Sequence, residues 1–461
     1  MPRWISSEPG EEEGLLAGLG IKDVEELFSD VPRQVRLGRM GVGPAYDEPE
    51  VVARIDRMLG RNKPYSKFAS FLGGRMPIRY LPAAIQSVML RSEFYTTYSP
   101  YQPEASQGML QSLFEFQSLW VELTGMDAAN ASLYDGATAA GEALLLTHRI
   151  HDGHRFLIPE SLPWEEKSVL ANYAPGLHVT FEEIPYDRRT GRLDLTAVDR
   201  AVAAGDVFGM LADLPNAFGI VDEGLLDLKS HLKGVPLVVS ADPLALTVLE
   251  PPGSWGADVV VGEGQGFGMP PSFGGPLLGL FACRNEHLRV TPGRIVGATH
   301  DVNGRRAFTL TLQTREQHIR RSRATSNICT NESLLALAFS AYATFVGPRG
   351  LAQLAHKLSE RARTLAGELS AVPGLKAPAF DAPYLWEFAV GLPGGDVHQF
   401  LERLQRRRVL GGTPLSDPRP GAKPLPTPMY LTAATEFTDE GQIRKYARAA
   451  RAVLGTHGGG A

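Results

Sequence analysis

Three tyrosines at a spacing of three, Tyr95, Tyr98 and Tyr101, lie in FYTTYSPYQPEASQG (94–108), where Pro100 and Pro103 keep the backbone out of a regular helix. A proline-stiffened loop of this kind presents phenols in fixed positions to a substrate, or packs them at a domain junction; the residues alone leave both readings open. Glu104 follows, an acid suited to the first turn of a helix that runs on through Leu110, Leu113, Phe116, Trp120 and Leu123 to Gly125. A second candidate is ASLYDGATA (131–139), an apolar run ending at Asp135 and Gly136 ahead of a helix that starts near Ala137 and Thr138. Free amides at such a helix start hold anions, phosphate among them, although small residues at a strand-to-helix turn also serve simple packing. Asp242 stands at the end of the apolar run VPLVVSAD, where an acid is costly to bury without a partner, or caps the next element. Arg315, Arg320, Arg321 and Arg323, with His318, could grip a carboxylate or phosphate, or form a solvated or subunit-facing surface. Asn216, in DLPNAFG, reads as a turn asparagine.

The chain is organised around WGADVVVGEGQGFGMPPSFGGPLLGL (255–280), an apolar strand, a glycine-rich turn and a second apolar run. An acid at one strand tip and a glycine turn at the next is the layout of a large group of pyridoxal-phosphate enzymes. There the acid holds the pyridinium nitrogen and a lysine in the turn makes the Schiff base. Here the turn offers Gln265 and Gly266 where the amine is needed, and no lysine occurs between Lys233 and Lys357. Either that chemistry is absent, or the chain is half of an enzyme whose lysine sits on another chain.

The elements that must position these residues fall into three stretches. Residues 1–70 read as a helical N-terminal segment. Residues 71–335 alternate short apolar strands (155–159, 177–185, 207–213, 236–242, 257–262) with helices near 164–173, 195–203 and 223–233, the pattern of an α/β domain with a mostly parallel sheet covered on both faces. Ligands in such sheets collect at the carboxyl ends of the strands, which points to the loops YDGATA, DLPNAFG, ADPLAL and GEGQGFG. Residues 336–461 read as a smaller α+β domain with helices over 351–369, 398–408 and 442–454 and a strand over 384–392. The apolar run 334–346 is shorter than a bilayer span of roughly 20 residues and reads as a buried helix.

Composition removes several classes. A formal charge of −5 argues against a phosphate-backbone binder, so nucleic acid is a poor partner. The two cysteines, Cys283 and Cys329, cannot build a disulfide framework, and neither they nor the histidines have metal-ligand spacing, so no metal site is expected. Acids at the amino terminus do not fit a secretory or transit signal; a cytoplasmic setting and no membrane association are expected.

Long strings of this sequence resemble the P-protein of the glycine cleavage system, glycine decarboxylase, in its two-subunit bacterial form, on the side of subunit 1. They are FLGG (71–74), RSEFYTTYSPYQPEASQG (91–108), ASLYDGATA (131–139), ADPLAL (241–246), PPGSWGAD (251–258), VGEGQGFGMPPSFGGP (261–276) and TLQTREQHIRRSRATSNICTN (311–331). The resemblance implies an aminotransferase-like fold of pyridoxal-phosphate fold type I. It also implies a glycine dehydrogenase (aminomethyl-transferring) that decarboxylates glycine on pyridoxal phosphate and passes the aminomethyl group to the lipoyl arm of H-protein. The Schiff-base lysine and the cofactor would belong to the partner, subunit 2, so that no catalytic residue is expected in this chain and the chain alone is expected to be inactive. Tyr95, Tyr98, Tyr101 and Glu104 would orient glycine or the lipoyl arm, and Gly136, Ala137, Thr138, Asp242 and Gln265 would be the vestige of a cofactor cup. Departures from the family pattern are RMPIRYLP (75–82), with Arg79 and Tyr80, in place of a histidine-containing run, the GFGMPPS turn, and Arg323 for a usual lysine. Two other readings stand beside this one: a non-catalytic platform that stabilises the partner or docks H-protein, and a stand-alone pyridoxal-phosphate enzyme of aminotransferase type.

Overall fold

The computed structural model describes residues 10–37, 41–328, 330–416 and 425–455; Cys329, the first nine residues and the last six lie outside it. Two compact units are defined, Met1–Lys63 and Pro64–Ala461. The first holds the helices Glu11–Leu19 and Glu48–Leu59. The second of these begins where the Asp47 side chain accepts the Glu50 N–H, and it shows Val51, Val52, Ile55, Met58 and Leu59 exposed.

In the second unit, runs that are apolar on both faces become the interior of a sheet. Every residue of Val207–Leu214 and of Leu237–Ala241 is buried. The seven strands lie in the order 128–129, 279–283, 259–263, 237–241, 207–214, 155–159, 180–184. All neighbours are parallel except Gly279–Cys283, which runs antiparallel to both of its own. The strands Arg155–Pro159, Thr180–Ile184, Val207–Leu214, Leu237–Ala241 and Val259–Glu263 fall on the five apolar runs of the sequence, each within a few residues at its ends.

Two helices bracket this sheet. Gln107–Thr124 buries Met109, Leu110, Leu113, Phe116 and Trp120, an i, i+3, i+4 stripe, and ends at Gly125 in the left-handed region. The helix starts at Gln107 rather than at Glu104, because residues Pro103–Ala105 form a 3-10 turn and Ser106 breaks the helical path (φ −128°). Gly136–Ile150 packs through alanines on the other face, and its Gly141 lies so close to Tyr173 that an added Cβ would come within 2.6 Å of the ring.

A single helix, Ser333–Ser370, joins two cores. The expected helices at 334–346 and 351–369 are its two halves, kinked at Gly347 (φ 72°) ahead of Pro348. Leu335 to Leu358 pack in the core under the large sheet, whereas Ala362 to Leu369 pack in a second core with Phe388, Phe400, Tyr430 and Tyr446. By length and composition this helix could cross a membrane, and half of its most apolar stretch is buried inside the protein. The second core supports a three-stranded antiparallel sheet in the order 387–391, 429–433, 413–414. The chain just before the large sheet joins this region, with Ala69 and Ser70 pairing in parallel with Val409 and Leu410.

Candidate functional site

The carboxyl ends of the large sheet face the smaller sheet across a cavity of about 380 Å³. Its floor is made by Ser240, Asp242 and Glu263 and by the start of the helix Gly136–Ile150; Glu387, Thr413 and Leu431 form the opposite wall, and residues 73–77 with Arg79 also line it. The position is the one expected of parallel strands, whose following loops surround their own tips.

At the helix start the amides of Gly136 and Thr138 are already used. Asp135 caps Thr138 at 2.9 Å, and the Thr138 hydroxyl takes the Asp135 N–H, a reciprocal capping box. The N–H of Gly136 donates to Glu263 Oε2 at 2.9 Å, while Glu263 Oε1 accepts from the backbone of Gln265 and of Leu278, each at 2.9 Å. Burial pushes Glu263 up to about 7 against these three N–H donors, which favour its charged form. Asp242 turns its Oδ1 to the Leu244 N–H at 2.8 Å, the cap of a short turn. Gln265 is fully buried, and its amide donates to the Met269 carbonyl at 2.7 Å, so it holds the shape of its own loop. Asn216 does the same for its turn, with Oδ1 accepting from Phe218 and Ile220.

The residues that sequence reasoning did not single out gather around Arg75 and on the opposite wall. Arg75 donates to Ser240 Oγ at 2.9 Å, Glu166 Oε2 at 2.8 Å and Asp213 Oδ1 at 2.6 Å. Asp213 and Ser240 are register partners on adjacent parallel strands, and Glu166 belongs to the helix Trp164–Tyr173. Burial opposes the charge on Arg75, but the carboxylates of Glu166 and Asp213 outweigh it and hold the guanidinium above its usual pKa. Burial likewise pushes Glu166 and Asp213 up, against the pull of Arg75. On the other wall Glu387 accepts the Gly74 N–H at 2.9 Å, and burial raises its pKa. Arg79, almost fully buried, lies 3.7 Å from Glu436 and over the Trp386 ring.

The tyrosine loop is a separate feature, and none of its four candidate residues lines the cavity. Tyr101 is anchored: its hydroxyl meets a guanidinium nitrogen of Arg294, whose Cζ lies 4.8 Å from the ring centroid, and His318 stands edge-on at 6.0 Å. Arg294, itself buried, also reaches Ser99 Oγ at 3.1 Å. Tyr95 and Tyr98 are exposed, 62% and 73%, and Glu104 is exposed on its 3-10 turn. From the basic segment, Arg315 folds back onto the carbonyls of Leu312, Thr291 and Gly293, whereas Arg320, Arg321 and Arg323 are exposed.

A large parallel sheet with a glycine turn at its strand tips and a second, smaller sheet closing the cleft is the architecture of pyridoxal-phosphate enzymes of fold type I. Glutamate decarboxylase of Lactobacillus brevis superposes with a TM-score of 0.68 over 94% of this chain and 98% of its own, at 11% identity, which shows the fold alone. The chain belongs to the glycine cleavage system P-protein family, whose model matches residues 2–404. A crystal structure of glycine decarboxylase (P-protein) of the glycine cleavage system, in inhibitor-bound form, superposes with a TM-score of 0.88 at 35% identity, covering 98% of this chain and all of the other. Probable glycine dehydrogenase (decarboxylating) subunit 1 of Desulfitobacterium hafniense is 41% identical over 90% of this chain and 92% of its own length. The protein of the same description from Thermoplasma acidophilum is 40% identical over 95% and 99%.

The residues around the cavity do not fit pyridoxal phosphate. The Gly136 amide that could meet a phosphate is bonded to the Glu263 carboxylate, and among the described residues no lysine lines the walls and six acids stand against two arginines. A dianionic phosphate ester would meet more acids than cations there.

Proposed function

We propose that this chain is the lysine-lacking subunit of a glycine dehydrogenase (aminomethyl-transferring), working with a lysine-bearing second subunit that holds pyridoxal phosphate. The observation that carries this reading is the filled cup: in a chain with the fold and family of pyridoxal-phosphate enzymes, Glu263 occupies the Gly136 amide and Gln265 stands in the turn where the amine is needed. Family membership and the relatives named as subunit 1 support it. On this reading the chain acts in the cytoplasm, has glycine and the lipoyl arm of H-protein as further partners, and contributes no catalytic group of its own. Its contribution is the loop of Tyr95, Tyr98, Tyr101 and Glu104, in which Tyr101 is fixed on Arg294 and the two exposed phenols are carried at a set distance from it.

The test is reconstitution. The isolated chain is mixed with pyridoxal phosphate, dialysed, treated with borohydride and mapped, and the same is done for the complex with its lysine-bearing partner, alongside glycine–bicarbonate exchange with lipoylated H-protein. The expected result is no reduced adduct and no exchange for the chain alone, and both for the complex, with the adduct on the partner. An adduct mapped to a lysine of this chain at the cavity would overturn the proposal.

A further inference from the structure

With the Gly136 amide taken by Glu263, acids outnumber cations among the described lining residues, and of the two arginines Arg79 turns to Glu436 and Trp386 while Arg75 engages acids at the strand ends. Arg75 lines the cavity, and about a third of its side chain remains exposed, so the space it fills is continuous with the cavity. Its acceptors come from three separate elements: Asp213 and Ser240 from neighbouring strands, and Glu166 from a covering helix. Glu166 and Asp213 are 5% and 3% exposed, and each keeps a second oxygen, Oε1 and Oδ2, buried with no hydrogen-bond partner among the described residues. A hydroxyl and two carboxylates around a planar cation match the several in-plane donors of a guanidinium, which a spherical metal or an ammonium does not present. Met76, Phe267 and Leu354 supply an apolar wall beside it.

We propose that the cavity is a guanidinium-binding site whose resident ligand is the chain's own Arg75, and that with this side chain removed it takes up a free guanidinium-type cation in preference to an anion, a neutral amide or an alkali metal ion. The inference concerns this chain alone and does not rest on the reaction proposed above. Two buried carboxylates left without their counter-charge destabilise the fold strongly, so the occupancy of the site is readable as stability.

The experiment is a thermal melt of the full-length chain and of its Arg75→Gly variant, with methylguanidinium chloride, urea, sodium chloride or inorganic phosphate added at equal low-millimolar concentration. Arg75→Gly is expected to melt several degrees lower, and methylguanidinium alone is expected to recover most of that loss, with no gain for the unaltered chain. Equal recovery by urea or sodium chloride, or none by methylguanidinium, would overturn the proposal. Should Arg75→Gly not accumulate as a folded protein, the double variant Arg75→Gly, Asp213→Asn decides. If it folds and methylguanidinium raises its melting temperature more than sodium chloride does, the remaining Glu166 and Ser240 still select a guanidinium, as proposed; if it folds and is indifferent to methylguanidinium, or fails to fold even with methylguanidinium present, the guanidinium site is refuted.

Discussion

Glu263 Oε2 lies 2.9 Å from the backbone nitrogen of Gly136, so the amide at the start of the helix Gly136–Ile150 is satisfied by a carboxylate of the same chain. An anion-holding helix start and an acid two residues before the position of the missing lysine are usually considered separately; here one fills the other. The absence of a lysine is therefore not the only barrier to cofactor binding. Gln265→Lys, which restores an amine to the turn, is expected to give no borohydride-reducible adduct with pyridoxal phosphate above the background of the unaltered chain. An adduct mapped to residue 265 in that single variant would show that the cup is open.

The same carboxylate predicts a pH dependence of stability. With its folded-state pKa near 7 and an ordinary value of 4.5, Glu263 binds more proton folded than unfolded between those limits, so stability falls as pH rises through that window. The loss is about 3.5 kcal/mol at most, since one pKa unit is worth about 1.4 kcal/mol. Glu263→Gln keeps an acceptor oxygen but cannot ionise, and its melting temperature is expected to fall less steeply than that of the unaltered chain between pH 5 and about pH 7.5. Parallel slopes for the two proteins would assign the dependence to other buried acids, such as Glu142, which burial also raises to about 7.

The tyrosine loop separates into an anchor and two free phenols, and the separation is measurable. Tyr101→Phe removes a hydrogen bond to a buried guanidinium and is expected to cost about 1 to 2 kcal/mol in denaturant melts. Tyr98→Phe, at an exposed position, is expected to change stability by less than about 0.5 kcal/mol. In the reconstituted complex Tyr98→Phe is nevertheless expected to lower glycine–bicarbonate exchange about ten- to a hundredfold, while the partner's pyridoxal spectrum stays unchanged. Full activity in the Tyr95, Tyr98 and Tyr101 variants alike would favour the platform reading of this subunit.

Gly219 is held at φ 79°, and a Cβ there would come within 2.3 Å of the Glu387 carbonyl oxygen. Gly219→Ala combines a left-handed backbone with a backbone clash, and about 3 kcal/mol or more of destabilisation is expected. A near-neutral result in urea melts would mean that the turn and the strand Glu387–Gly391 can separate without cost.

Most of the fold was legible because its signals are local. Val207–Leu214 and Leu237–Ala241 announce themselves as runs too apolar for a half-exposed strand, and the helices Trp164–Tyr173 and Leu195–Ala203 start and stop where the sequence reading places them. The two apolar helices near 340 and 360 were legible, but not their fusion, since Gly347 and Pro348 look like a terminus and in fact make a kink. The anion cup was visible in Asp135, Gly136 and Thr138; its occupant was not, because an acid in a glycine-rich turn reads as solvated. Glu166 and Asp213 are 91 and 138 residues from Arg75, the side chain that joins them, and no spacing rule reports such a meeting.

Between Gly350 and Gly367 the helix Ser333–Ser370 contains neither glycine nor proline, and it passes within that span from the core of the large sheet to the core of the small one. A hinge between the two cores would have to bend this uninterrupted stretch, whose hydrogen-bonded ladder resists it. The two walls of the cavity are thus tied by one continuous rod, and any change in their separation has to bend it.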